Sequence, residues 1–124
     1  MPAVSHVSQA TYERLARVVA ALQTPGFAGL PQGLSALVRR LWVLEADGRV
    51  ELWLLTAPLA LSDEQRIYAL DAVLAEAFPR TSVQLQVLNP LWYGHHDPAS
   101  SVPREAVEVP LRAEAYAAPD PPPS

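Results

Sequence analysis

Residues 38 to 56 read VRRLWVLEADGRVELWLLT, two runs rich in valine, leucine and tryptophan hinged on Asp47-Gly48. An Asp-Gly pair suits the two-residue type I′ turn, whose left-handed dihedrals match the twist of the flanking strands. With Asp47 and Gly48 as the turn, Ala46 faces Arg49, Leu44 faces Glu51, Val43 faces Leu52, Trp42 faces Trp53 and Leu41 faces Leu54. Side chains alternate along a strand, so the hairpin has two faces. One carries Leu41, Val43, Val50, Leu52 and Leu54 and is almost wholly apolar. The other is mixed, with Arg40, Trp42, Leu44, Glu51, Trp53 and Leu55.

The apolar face needs a cover, and the flanking segments supply helices. Residues 8 to 23, SQATYERLARVVAALQ, place Tyr12, Leu15, Val18, Val19 and Leu22 on one stripe, and Thr24-Pro25-Gly26 ends the helix. Gly29, Pro31 and Gly33 then make a loop, with a short helical turn over Leu34 to Val38. After Thr56-Ala57-Pro58, Ser62-Asp63-Glu64-Gln65 has the form of a capping box. The helix it opens buries Ile67, Leu70, Leu74, Ala77 and Phe78, and Pro79 closes it. Ser82 to Leu88 alternates Val83, Leu85 and Val87 with Gln84 and Gln86, the pattern of a third strand. Glu105 to Arg112 suggests a short edge strand, since Pro110 cannot donate to a ladder.

The expected fold is a small two-layer α/β (α+β) sandwich in the order helix, β-hairpin, helix, strand and a further strand. Its mixed sheet of three to four strands is packed by two helices. The first helix can bury its stripe beside the second or over the tryptophan face. One domain spans residues 1–116, and the tail AAPDPPPS, 117–124, is expected to be disordered or extended.

Composition narrows the chemistry. Cysteine is absent, which removes disulfides and thiolate sites. All nine basic residues are arginine, which removes any lysine-dependent mechanism and, through the GC-rich codons it implies, points to a bacterial source. A net charge of −4, with no basic cluster larger than Arg39-Arg40, argues against nucleic acid as a partner. No apolar run approaches the roughly 20 residues of a membrane helix, and the N-terminus does not read as a secretory signal. A cytoplasmic protein with no cofactor is the expectation.

Two places carry candidate function. The stretch from Asn89 to Pro98, NPLWYGHHDP, sets His95, His96 and Asp97 side by side as a possible metal or acid-base site. Adjacent residues of an extended segment point to opposite sides, so one ion takes one of the two imidazoles, and His6 is the only further histidine. The alternative is a solvated loop whose Trp92 and Tyr93 pack its base. No Gly-x-Ser-x-Gly elbow accompanies Ser100-Ser101, and first-turn helix acids account for Asp63 and Glu64. The second place is a platform of Trp42 and Trp53 bordered by Arg40, Glu51, Gln84 and Gln86. Such a face is covered by the first helix or a second copy, or it binds a ligand or partner.

In its order of elements, Val38 to Pro90 resembles the core of the small nucleotidyltransferase-fold proteins, including the hydrophobic-Asn-Pro phrase Val87-Leu88-Asn89-Pro90. The resemblance implies a Gly-Ser between the first two strands, an Asp-x-Asp pair on the second and a third carboxylate on the third, holding two metal ions. This chain has Glu45-Ala46-Asp47-Gly48, Glu51-Leu52-Trp53 and Gln84 with Gln86 at those places. Glutamine lacks the charge that a magnesium ligand supplies, so the resemblance implies an inactive relative. The same segment is similar to ferredoxin-like ligand or dimerisation domains.

The leading expectation is a non-catalytic interaction or accessory domain, acting as a homodimer or with a protein partner through the tryptophan face. The competing one is a small hydrolase, transferase or metal-binding protein in which His95, His96 and Asp97 converge with Glu51 or Glu108. A third is nucleotide binding without turnover near Arg40 and Arg49.

Overall fold

The hairpin forms with the expected register. In a computed structural model that describes residues 7–46 and 48–112, Val38–Ala46 (β1) pairs antiparallel with Arg49–Thr56 (β2), and Trp42 opposes Trp53. Gly48 sits at φ +70°, the left-handed conformation the turn requires. The ladder has one irregularity, between Val38 and Arg40. Ser82–Leu88 (β3) lies parallel to β2, and Val107–Val109 (β4) runs antiparallel to β1. The strand order is β3-β2-β1-β4, so the fold is an α+β layer of helices on a four-stranded mixed sheet.

Gln9–Gln23 (α1) starts at Ser8, whose hydroxyl accepts from the Thr11 N–H at 3.2 Å. Glu45, near the end of β1, accepts from the Ser8 N–H at 2.7 Å, from the Ser8 hydroxyl at 2.9 Å and from the Thr11 hydroxyl. The helix start is thereby pinned to the hairpin end of the sheet. Thr11, Leu15, Val18, Val19 and Leu22 are buried, while Tyr12 is half-buried. At the other end Gly33 passes close beneath the chain. A Cβ there would stand 2.5 Å from the Thr24 carbonyl oxygen, and its φ of +66° also favours glycine.

The second expected helix is two. Leu61–Ile67 (α2) and Leu70–Ala77 (α3) meet at Tyr68-Ala69, where the bonds Tyr68 N–H to Gln65 C=O, Ala69 N–H to Arg66 C=O and Asp71 N–H to Tyr68 C=O tighten the turn to 3₁₀ form. The cap is Ala60 rather than Ser62, and it has no side-chain hydrogen bond. The cause lies outside the helix. Asn89 holds the Leu59 backbone through both its amide groups, at 3.0 and 2.7 Å, and the helix begins directly after that clamp. Ile67, Leu70, Leu74, Ala77 and Phe78 are all buried as expected.

Both α1 and α3 lie on the face of Leu41, Val43, Val50, Leu52 and Leu54, and these residues make one core. Each such side chain, fully withdrawn from water, contributes about 1.5–3 kcal/mol. The tryptophan face is therefore not covered by α1. The segment 89–106 leaves β3 at one edge of the sheet and must reach β4 at the other. The segment carries 3₁₀ turns at Pro90–Trp92 and Pro98–Ser101 and half-buries Tyr93, Ala99, Val102 and Pro103. No helix among the described residues is long and apolar enough to cross a membrane. His6, Asp47 and the tail 117–124 fall outside the described residues.

Candidate functional site

The tryptophan platform is a wall of packed and paired groups. Trp42 is 7% exposed. The Arg40 guanidinium lies 4.5 Å above its ring and donates through Nε and Nη2 to the Glu108 carboxylate, at 2.8 and 2.7 Å. Glu108 opposes Trp42 across the β1–β4 pair, so the three side chains form one stack. The hydrogen bond to Arg40 holds the Glu108 carboxyl below its ordinary value, and the same bond, aided by the charges of Glu108 and Asp97, holds Arg40 above its own. Trp53 stands between Trp42 and Gln86, half-buried, and its indole N–H has no partner among the described residues. Glu51 pairs with Gln84 across the strands and with Arg49 at 3.2 Å. Both arginines that would receive a nucleotide phosphate are thus engaged by carboxylates.

The His95-His96-Asp97 turn lies near this wall, close enough for the Asp97 charge to act on Arg40. Gly94, at φ +57°, and a bond from the His96 N–H to the Tyr93 carbonyl at 2.9 Å shape the turn. Asp97 caps the following 3₁₀ turn, its carboxylate accepting from the Ala99 N–H at 3.0 Å. Both imidazoles are exposed. No three His, Asp or Glu side chains among the described residues are grouped to hold a metal ion. Glu108 and Glu51 stay with their arginines rather than joining the histidines.

A different surface stands out. Asn89 is fully buried; it bonds both backbone groups of Leu59, and its Oδ1 also accepts from the Leu91 N–H at 3.2 Å. This clamp sets Pro58, Ala60 and Leu61 beside Leu91 and Trp92, and all five are exposed. Trp92, expected with Tyr93 to pack the base of the loop, is instead 61% exposed, while Tyr93 is half-buried. Its indole N–H donates to Glu64 Oε1 at 3.0 Å, which fastens the ring to α2. Leu61, Glu64 and Tyr68 share one stripe of that segment, with Leu61 55% and Tyr68 42% exposed. Burial first, and then the charges of Glu64 and Asp71, raise the Tyr68 phenol above its ordinary value, so it stays neutral. The result is an apolar corner with the Glu64 carboxylate beside Trp92. Its sequence signals, Pro58-Leu-Ala-Leu61 and Pro90-Leu-Trp92, are unremarkable singly and are joined by the Leu59–Asn89 clamp, whose two members are 30 residues apart.

Compared with models of protein families, with curated proteins and with solved structures, the chain finds no match.

Proposed function

We propose that this chain is a non-catalytic association domain that holds a protein partner on the corner formed by Leu61, Tyr68, Leu91 and Trp92. The supporting observation is the fixed, exposed indole of Trp92 among three other exposed large apolar side chains. Scattered single exposed hydrophobics are ordinary, but a cluster drawn from two separate segments and locked by a buried asparagine is the form of an interaction surface. Tryptophan and tyrosine are the residues that most often carry binding energy at such surfaces. Glu64 adds an acceptor at the rim and would favour a partner that presents a hydrogen-bond donor or a positive charge.

The test compares the wild type with Trp92→Ala and Tyr68→Ala in capture from cells of the native source. Because both side chains are exposed, the variants keep the wild-type melting temperature to within a few degrees, roughly the effect of a surface substitution. The expected result is a discrete partner retained by the wild type and lost by both variants. Retention of the same partner by all three proteins, or no retained partner, would refute the assignment.

A further inference from the structure

The two edges of the sheet are built differently. At one edge β4 is three residues long, contains Glu108, is followed by Pro110, and is flanked by Glu105 and Arg112. Charges, proline and shortness are the devices that keep an edge strand from pairing with another chain. At the other edge β3, Ser82–Leu88, has seven residues with no charge, no proline and no glycine. The Ser82 N–H bonds to the Gly48 carbonyl on the β2 side at 3.0 Å. Backbone groups alternate sides along a strand, so Val83, Leu85 and Val87 aim their N–H and C=O groups away from the sheet. The side chains tell the same story. Val50, Leu52 and Leu54 of β2 are buried, while their neighbours Val83, Leu85 and Val87 are only half-buried although they face the same core.

What could complete this edge is written in the strand itself. Residues 83 to 87 read VQLQV, identical in both directions about Leu85. An antiparallel strand placed against β3 with Leu85 opposite Leu85 would match Val83 with Val87, Gln84 with Gln86 and Leu85 with itself. We infer that β3 pairs antiparallel with β3 of a second copy of this chain, with Leu85 on a two-fold axis, joining two four-stranded sheets into one of eight. In that register Val83, Leu85 and Val87 exchange both backbone bonds with their opposites. The half-buried apolar row continues across the axis under the helices, and the glutamine amides pair on the other face. A two-fold axis requires each patch to be its own complement, and an unrelated partner strand would need no palindrome. The ladder is self-limiting, because Pro90 would lie opposite Arg80 just past its end. This pairing uses a surface separate from the aromatic corner and does not rest on it.

The experiment is the solution mass of the full chain by light scattering, from dilute to the highest soluble concentration, with two double variants. Gln84 is exposed and Gln86 half-buried on the face away from the core, so both accept substitution without disturbing it. The wild type should have twice the 13.5 kDa chain mass. Gln84→Lys with Gln86→Lys sets like charges opposite each other across the axis and should return the mass to that of one chain. Gln84→Glu with Gln86→Lys sets each glutamate opposite a lysine and should restore the dimer. The amides of Val83, Leu85 and Val87 should exchange with solvent slowly in the dimer and rapidly in the lysine variant. A monomeric wild type, a lysine variant that stays dimeric, a charge-matched variant that stays monomeric, or a dimer in which those three amides exchange freely would each overturn the pairing.

Discussion

Replacing Asn89 by alanine tests the clamp that creates the apolar corner. Asn89 is fully buried, and its side chain makes three hydrogen bonds, two to Leu59 and one to the Leu91 N–H. Truncation would leave the N–H and C=O of Leu59, itself a buried residue, without partners. A buried backbone group stripped of its partner costs about 1–3 kcal/mol. Leu91 is exposed and its N–H can turn to water, so it adds little. Relaxation around the site keeps the sum to about 2–4 kcal/mol, a large part of the ~5–15 kcal/mol that holds a domain together. For a chain of this size that lowers the melting temperature by about 10–20 °C.

Urea unfolding should show the loss as a lower midpoint at unchanged slope. Asn89→Asp sharpens the test. The carboxylate keeps the acceptor for the Leu59 and Leu91 amides but cannot donate to the Leu59 carbonyl, and burial raises its folded pKa above the unfolded value. Stability then peaks below the ordinary aspartate value, where the protonated acid can donate, and declines as pH rises through the raised one. A loss below about 0.5 kcal/mol for the alanine variant, or a flat pH profile for the aspartate relative to wild type, would refute the clamp.

Two further outcomes follow from the polar contacts. Glu45→Ala strips the Ser8 amide and two hydroxyls of their acceptor and should destabilise the domain by about 1–3 kcal/mol, with amide exchange rising first in the opening turn of α1. Unchanged exchange there would mean that Glu45 does not anchor the helix. Glu108 has its pKa lowered by Arg40, so its stabilising effect is complete above the ordinary glutamate value and is lost as pH falls through the lower folded one. Glu108→Gln should therefore flatten the acid limb of the melting-temperature profile and leave its neutral limb little changed, since the pair is exposed. An acid limb identical to wild type would contradict the pairing.

Much of the fold was legible where local chemistry and periodicity agree. Asp47-Gly48 and the alternation on either side set the register from Trp42-Trp53 to Ala46-Arg49, and the apolar stripes of α1 and α3 were readable, although the face that α1 covers was left open. What stayed hidden was decided by contacts between distant residues. Ser62 has the signature of a cap, yet Asn89, 30 positions away from Leu59, sets the helix start at Ala60. Glu45 carries no local signal of its role, which exists only because Ser8 and Thr11 arrive beside it. The segment 89–106 is irregular, its route set by the positions of β3 and β4 in the sheet, and no periodicity announces it. Asp97 was readable from its own neighbours: an aspartate before proline favours a capped turn, the role it fills here.

The corner of Leu61, Tyr68, Leu91 and Trp92 is proposed to hold a protein, and that contact can be captured in the cell. The most direct measurement places a photo-reactive phenylalanine analogue at position 68 in the full chain, irradiates living cells and reads the cross-linked products by mass, with Glu76, exposed on α3, as the control position. One discrete adduct with a second protein is expected from position 68, abolished by Trp92→Ala and absent from position 76. No adduct from position 68, or the same products from both positions, would contradict it.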